Sequence, residues 1–421
     1  MNRPRRTIAI IAAATLISGT AVYLVLRATG VLTPPYIIFT RPPYLQNATR
    51  QSIILCWATD LPTTAKVRVA TQDGAEIGEY RTPSPAQRQE TVIGDLHPGR
   101  TYRYDVHSAH TVEGLRQGTF TTAPDPGRPF EFAVFGDSRK GRDVCQRIAG
   151  HILSSGAPIA VHTGDLVGSG VNLFEWNWMF FEPCRELLRA VVFWPVIGNH
   201  ELGQTPEGLD GRTIFTQAFA LPGNERYYSF DWGDAHFLML DSNDDCFDDP
   251  GQYGFAEQDL AAARATWKFA VWHHPVFNAG KGHGSHIGMR TLYCPLLARY
   301  NVDMIFTGHE HNYQRSKPIR HFDSPVQQRP YIHLVTGGAG APLYEIGDEE
   351  IWSLKADKVH HFVLIRVEGS RLTGRAIDLD GKTFDEFEVD KSQPPSDAVA
   401  YEFIELDRLY REATAETEPH P

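Results

Sequence analysis

The chain has 421 residues, 42% of them hydrophobic and 22% charged, with a formal net charge of -11. That length and composition support two ordinary domains with sizeable cores and exclude global disorder. The acidic balance argues against a nucleic-acid-wrapping surface and leaves room only for a small local anion cleft.

Arg3, Arg5 and Arg6 precede an uncharged stretch from Thr7 to Leu26, long enough at about 1.5 Å per residue to cross a bilayer as a helix. By the positive-inside rule the N-terminus stays cytoplasmic and everything after Arg27 is exported. Residues 1–33 are therefore expected to be a signal-anchor, tying the protein to a membrane with the rest on the extracytoplasmic (periplasmic or extracellular) side. A cleaved signal peptide is the competing expectation, with Gly19, Thr20 and Ala21 as a small-residue site, and would make the protein secreted.

Residues 34–124 read as an all-β sandwich. SIILCWATD and AKVRVATQ alternate as strands do, LHPGRTYRYDV resembles a tyrosine corner, and GTFTTAP closes the set. Trp57 and Tyr102 are expected in its core rather than at a ligand. The segment APDPGR, Ala123 to Arg128, marks the boundary.

From residue 128 to 392 strand and helix alternate, as in a layered α/β domain. FEFAVFGD, IAVHTGD, VVFWPVIGNH, WKFAVWHH and VDMIFTGH are apolar runs in which a polar residue appears only where the run stops. Helical spacing is predicted for Arg142 to Leu153, Leu173 to Leu188, Gln258 to Ala265 and Met289 to Tyr300. The strand ends carry GDSR (Gly136 to Arg139), GDLV (Gly164 to Val167), GNHE (Gly198 to Glu201), WHHP (Trp272 to Pro275) and GHEH (Gly308 to His311). Carboxylates, an amide and imidazoles at the strand ends of such a sheet are what two adjacent metal ions require.

This ordered set, ending in GHEHNYQR, resembles the calcineurin-like metallophosphoesterase superfamily and, within it, the purple acid phosphatase branch. The resemblance implies a layered α/β/β/α domain, two bound metal ions with iron, zinc or manganese as candidates, and hydrolysis of a small phosphate ester by metal-activated hydroxide. It implies Asp165 as the bridging ligand, with Asp137 and His311 completing one site and Asn199, His273 and His309 holding the other. His200 would face the scissile bond as acid or charge stabiliser. His283 in GKGHGS would contact substrate, and His274 would support its neighbour. The sandwich, with PYLQN near Tyr44 and the Trp57 strand, resembles the fibronectin-type-III-like domain of the same branch.

Two positions depart from the family pattern. Purple acid phosphatases carry a tyrosine three residues after the second-motif aspartate, where this chain has Gly168, so a purple ferric site is not expected. Many relatives place a histidine two residues after the first aspartate, where this chain has Arg139. Arg139 is expected either to grip the substrate phosphate with its planar fork or to pair with a nearby acid. A phosphomonoesterase is the expected activity. A phosphodiesterase on the same site, or a degenerate binding protein that uses the sandwich domain, are the alternatives.

The five cysteines, at 56, 145, 184, 246 and 294, lack metal-binding spacing; in an exported protein up to two disulfides are allowed, with no pairing readable. The acidic run DSNDDCFDD (Asp241 to Asp249) is expected to be a solvated loop, and NLFEWNWMFF (Asn172 to Phe181) to be a core helix. Residues 393–421 form an acidic tail in which Phe403, Leu406 and Tyr410 have helical spacing, so it is expected to dock as a short helix. Oligomeric state is not readable.

Overall fold

The computed structural model describes residues 39–108, 116–245, 247–321, 329–393 and 398–415. The expected anchor or signal segment and Cys246 lie outside the described residues, among which no helix is long and apolar enough to cross a membrane.

Two antiparallel sheets form the N-terminal part. One has the order Phe39–Gln46, Ile53–Thr63, Ala86–Ile93; the other runs Glu76–Arg81, Ala65–Thr71, Thr101–Ser108, Gln117–Thr121. Alternation decides the faces: Ala65, Val67 and Val69 point inward while Lys66 and Arg68 stay exposed. Trp57, Tyr102, Tyr104 and Phe120 fill the space between the sheets, each such side chain contributing roughly 1.5–3 kcal/mol on burial. The Tyr102 hydroxyl accepts the His97 amide at 2.9 Å, the upstream backbone bond that defines a tyrosine corner. PYLQN serves as a latch to the following domain. The Tyr44 hydroxyl donates to the Ala218 carbonyl at 2.6 Å, and the Gln46 amide to the Phe193 carbonyl at 2.9 Å.

The larger part stacks two sheets. The first has the order Val192–Pro195, Ile159–His162, Phe130–Phe135, His361–Glu368, Arg371–Asp378, Thr383–Asp390; its first three strands are parallel. The second runs Tyr228–Trp232, Ala235–Met239, Trp267–Val271, Met304–Thr307, Ile332–Thr336, Tyr313–Ser316, Ser353–Asp357, with four parallel strands in the middle. Their inner faces meet where Phe132 touches Phe237 (ring centroids 5.1 Å), Phe269 (5.3 Å) and Phe306 (6.0 Å). The alternate residues Leu238, Ala270 and Ile305 face outward, onto Leu260, Met289 and Leu297 of the helices Pro250–Ala262 and Ile287–Arg299. On the other side the helix Arg142–Ser155 buries Cys145, Ile148, Ala149 and Ile152. The layers are helix, sheet, sheet, helix, and both parallel cores end at the same crevice.

Several expectations need correction. Leu173 to Leu188 is not one helix: a short α turn (Leu173–Glu175), a π-helical stretch (Trp176–Phe181) and Arg185–Leu188 follow one another. The wider turn brings Trp176, Phe180 and Phe181 into the core together, with Trp176 Nε1 donating to the Gly170 carbonyl at 2.7 Å. The helix expected over Gln258 to Ala265 begins at Pro250, because the Asp249 carboxylate caps the Gly251 amide at 2.8 Å and proline suits the first turn. The acidic run is not simply solvated. Asp241 is buried against Arg212, Asp245 also pairs with Arg212, and Asp249 pairs with Arg226. The tail does form a helix, Tyr401–Ala415; among its described side chains Ile404 is buried while Phe403 and Leu406 are exposed, and the Tyr410 side chain lies outside the described ones.

Candidate metal centre

Each candidate ligand sits just past a strand. Asp137 follows Phe130–Phe135, Asp165 follows Ile159–His162 and Asn199 follows Val192–Pro195, all from the first sheet; His273 follows Trp267–Val271, and His309 and His311 follow Met304–Thr307, from the second. Asp137, Asp165 and His309 have φ of +58°, +59° and +65°. Left-handed backbone at a non-glycine residue costs on the order of 1–3 kcal/mol and persists where surrounding structure enforces it, as at functional sites. Glycines make room for the carboxylates: a Cβ on Gly198 would lie 2.3 Å from Asp165 Oδ1, and one on Gly308 would lie 2.4 Å from Asp137 Oδ2.

One cluster gathers around His273 Nε2, with Asn199 Oδ1 at 3.0 Å, His309 Nδ1 at 3.1 Å and Asp165 Oδ1 at 3.4 Å. His273 Nδ1 lies 2.8 Å from the Thr163 carbonyl. A carbonyl can only accept, so the ring proton is on Nδ1 and the Nε2 lone pair points at the cluster. Burial drives both His273 and His309 well below 6.5, which keeps the rings neutral and able to ligate. Two imidazoles, an amide oxygen and a carboxylate oxygen converging on one point fit a divalent ion. His274 stands closer to this cluster than expected: its ring centroid is 4.4 Å from that of His309, and its Nδ1 is 2.9 Å from Ser242 Oγ.

Around the first position, ligand atoms of Asp137, Asp165 and His311 lie within 4.8 Å of one another. Burial pushes the Asp137 carboxyl up to about 6, against the pull of His311, and Asp137 Oδ1 is buried without a hydrogen-bond partner. Arg139 also enters this position. Its Nε donates to Asp165 Oδ2 at 3.0 Å and its Nη2 lies 3.2 Å from His311 Nε2. Of the two expectations for Arg139, pairing with an acid is the one realised here, and the side chain is buried. The donor set at this position therefore does not fit a second ion as the side chains stand.

His200 Nδ1 is 2.7 Å from the Gly168 carbonyl, leaving Nε2 3.9 Å from Asp165 Oδ2 and partly exposed. A Cβ on Gly168 would lie 2.8 Å from Glu175 Oε2, whose carboxylate accepts the Ser169 amide at 3.0 Å, so no tyrosine fits without moving Glu175. The His283 ring centroid lies 3.9 Å from that of His309. An open cleft of about 660 Å³ adjoins, walled by Asn199, Phe247, His274, His283, His286 and His309.

Sequence reasoning passed over Glu201, Glu310 and Tyr344. Glu201 is fully buried and accepts the amides of Asp165 (2.9 Å), Leu166 (2.8 Å) and Gly198 (2.8 Å); burial and the Asp165 charge raise its pKa. Glu310 accepts the amides of Gly282 (2.8 Å) and His283 (2.9 Å), pinning the GKGHGS loop. Both sit inside quoted motifs, where an acid with no ligand role was the available signal. Tyr344 stacks on His311 at 4.2 Å, and nothing in its local sequence marks it.

Two facing sheets whose strand ends deliver carboxylates and imidazoles to one crevice define a layered metallohydrolase. The chain belongs to the calcineurin-like phosphoesterase family, whose model matches residues 91–313, and it is similar to purple acid phosphatases. It is 31% identical over 258 residues to purple acid phosphatase 21 of Arabidopsis thaliana, covering 58% of this chain and 57% of that one. An uncharacterized protein of Mycobacterium tuberculosis is 28% identical over 365 residues, covering 70% and 68%. The structure of a purple acid phosphatase from yellow lupin (Lupinus luteus) seeds superposes with a TM-score of 0.71 at 21% identity, covering 86% of this chain and 75% of that one. The chain thus spans little more than half the length of the Arabidopsis relative.

Proposed function

We propose that the protein hydrolyses phosphate monoesters, with a divalent metal held by Asn199, His273, His309 and Asp165. The observation that carries this reading is the convergence of Asn199, His309 and Asp165, from two sheets, within 3.4 Å of His273 Nε2, beside an open cleft. An ion bound there supplies Lewis-acid polarisation of the phosphoryl group and acidifies water. The chain's own groups do the rest. His200, with its Nδ1–H fixed on the Gly168 carbonyl, presents Nε2 to the departing oxygen, and as the imidazolium it gives up the Nε2 proton to that oxygen and returns to the neutral Nδ1–H form. His283, held by Glu310, reaches the same side as His309 and contacts the ester. The N-terminal stretch Thr7 to Leu26 would hold the catalytic part outside the cytoplasm as a membrane anchor, or release it if cleaved.

A degenerate binding protein is the second reading, favoured by Arg139 standing in the first ligand position. Turnover separates them. Chelator-treated full-length protein, resupplied with Mn²⁺ or Zn²⁺, should hydrolyse an aryl phosphate monoester faster than a bis-aryl diester. Preference for the diester would assign a phosphodiesterase, and an inert protein with every metal would support the binding reading.

A further inference from the structure

We propose that the Arg139 guanidinium is the resident cation of the first position, so that the protein carries one metal ion per chain rather than two. The inference rests on the metal-dependent reading above and concerns the number of ions.

The argument begins with lone pairs. His311 Nδ1 lies 2.7 Å from the Pro342 carbonyl and must carry the ring proton, since the carbonyl can only accept. Its Nε2 lone pair is then the one a metal would use, and that atom faces Arg139 Nη2 at 3.2 Å, an N–H group that can only donate. Asp165 divides its two oxygens. Oδ1 lies 3.4 Å from His273 Nε2 in the metal cluster, while Oδ2 accepts Arg139 Nε at 3.0 Å. Of three donor residues at the first position, two are already engaged by one guanidinium, whose nitrogens only donate and offer a metal no lone pair.

The backbone aims that side chain. The Arg139 amide donates to the Asp165 carbonyl at 3.3 Å, and the Arg139 carbonyl accepts the Gly141 amide at 2.9 Å. The Ala341 amide donates to the Asp137 carbonyl at 2.8 Å, and a Cβ on Gly141 would lie 2.0 Å from the Gly340 oxygen, so the loop is pressed between two neighbours. Tyr344 closes the outer side, its ring stacked on His311 and its hydroxyl beside Arg139. With its side chain only 7% exposed, the guanidinium is poorly placed to swing out to solvent and reach a substrate. A planar fork carrying one positive charge takes up the Asp165 and His311 atoms that a divalent ion at this position would use. A chelator cannot remove it.

Equilibrium dialysis of the full chain against Mn²⁺ or Zn²⁺, followed by elemental analysis, tests this without an activity readout. The expected result is one ion per chain, lost in His309→Ala and unchanged in His311→Ala. Arg139→Ala should rise to two per chain and Arg139→Lys should stay at one; the histidine variants keep the test valid even if the arginine variants fail to fold. Two ions in the wild type, or loss of the single ion in His311→Ala with retention in His309→Ala, overturns the inference and leaves the metal-dependent reading standing. A wild type that binds no ion fails the functional reading itself, and this inference with it.

Discussion

The Glu201 carboxylate holds Asp165 by its backbone, accepting the Asp165 amide at 2.9 Å, while the Asp165 carboxylate faces His273 Nε2 at 3.4 Å. The same Glu201 accepts the amides of Leu166 and Gly198. It is therefore a positioning residue, the tie that lets a left-handed Asp165 keep its aim. Glu201→Ala should leave several buried donors unpaired and lower stability by on the order of 3 kcal/mol. Denaturant unfolding measures this, and a stability loss below the scatter of surface substitutions would contradict the role.

Removal of the His200 ring tests the leaving-group protonation proposed for it. His200→Ala should lower kcat by roughly 10²–10⁴-fold on an alkyl phosphate and by much less on an aryl phosphate whose oxygen departs unaided. Steady-state kinetics on the pair of substrates reads the contrast. Equal losses on both would assign His200 to phosphoryl binding instead.

His236 lies far from this chemistry, between Asp231 and Asp259 at 2.7 Å each. Burial disfavours its charge, yet the two carboxylates outweigh that and raise it from 6.5 to about 9. The folded ring keeps its proton up to about pH 9 and the unfolded ring only up to 6.5, so the stabilisation is complete below 6.5 and disappears as pH rises through 9. Because Asp231 is largely exposed, screening reduces the effect to on the order of 1–2 kcal/mol. Denaturation midpoints at pH 6 and pH 9.5 should differ accordingly, and His236→Gln should flatten that difference.

The latch between domains is open to a similar test. Tyr44→Phe deletes the hydroxyl that donates to the buried Ala218 carbonyl at 2.6 Å but keeps the ring against Phe181. An unpaired buried carbonyl costs about 1–3 kcal/mol, so thermal unfolding should start earlier while metal content stays the same. An unchanged transition would mean that packing alone joins the domains.

That the candidate residues would stand just past strand ends was legible, because apolar runs such as VVFWPVIGNH change character at the residue that leaves the sheet. The sandwich was legible for the same reason, with Val67 and Val69 alternating against Lys66 and Arg68. Helix limits near Pro250 and Trp176 were not, since one depends on a capping carboxylate hidden in an acidic run and the other on a widened turn chosen by packing. The partner of Arg139 was also beyond local reading. Its alternatives, substrate or acid, differ only by which side of a crevice the guanidinium enters, and that is decided by Asp165 and His311, 26 and 172 positions away.

The central claim is that a metal ion sits among His273, His309, Asn199 and Asp165. Anomalous diffraction at the absorption edge of the bound metal, from crystals of the full chain grown with Mn²⁺ or Zn²⁺, tests it most directly. The account predicts a strong peak within coordination distance of His273 Nε2, His309 Nδ1 and Asn199 Oδ1, with Asp165 Oδ1 as the fourth protein ligand. A peak elsewhere in the molecule, or none at that point in metal-saturated crystals, would contradict it.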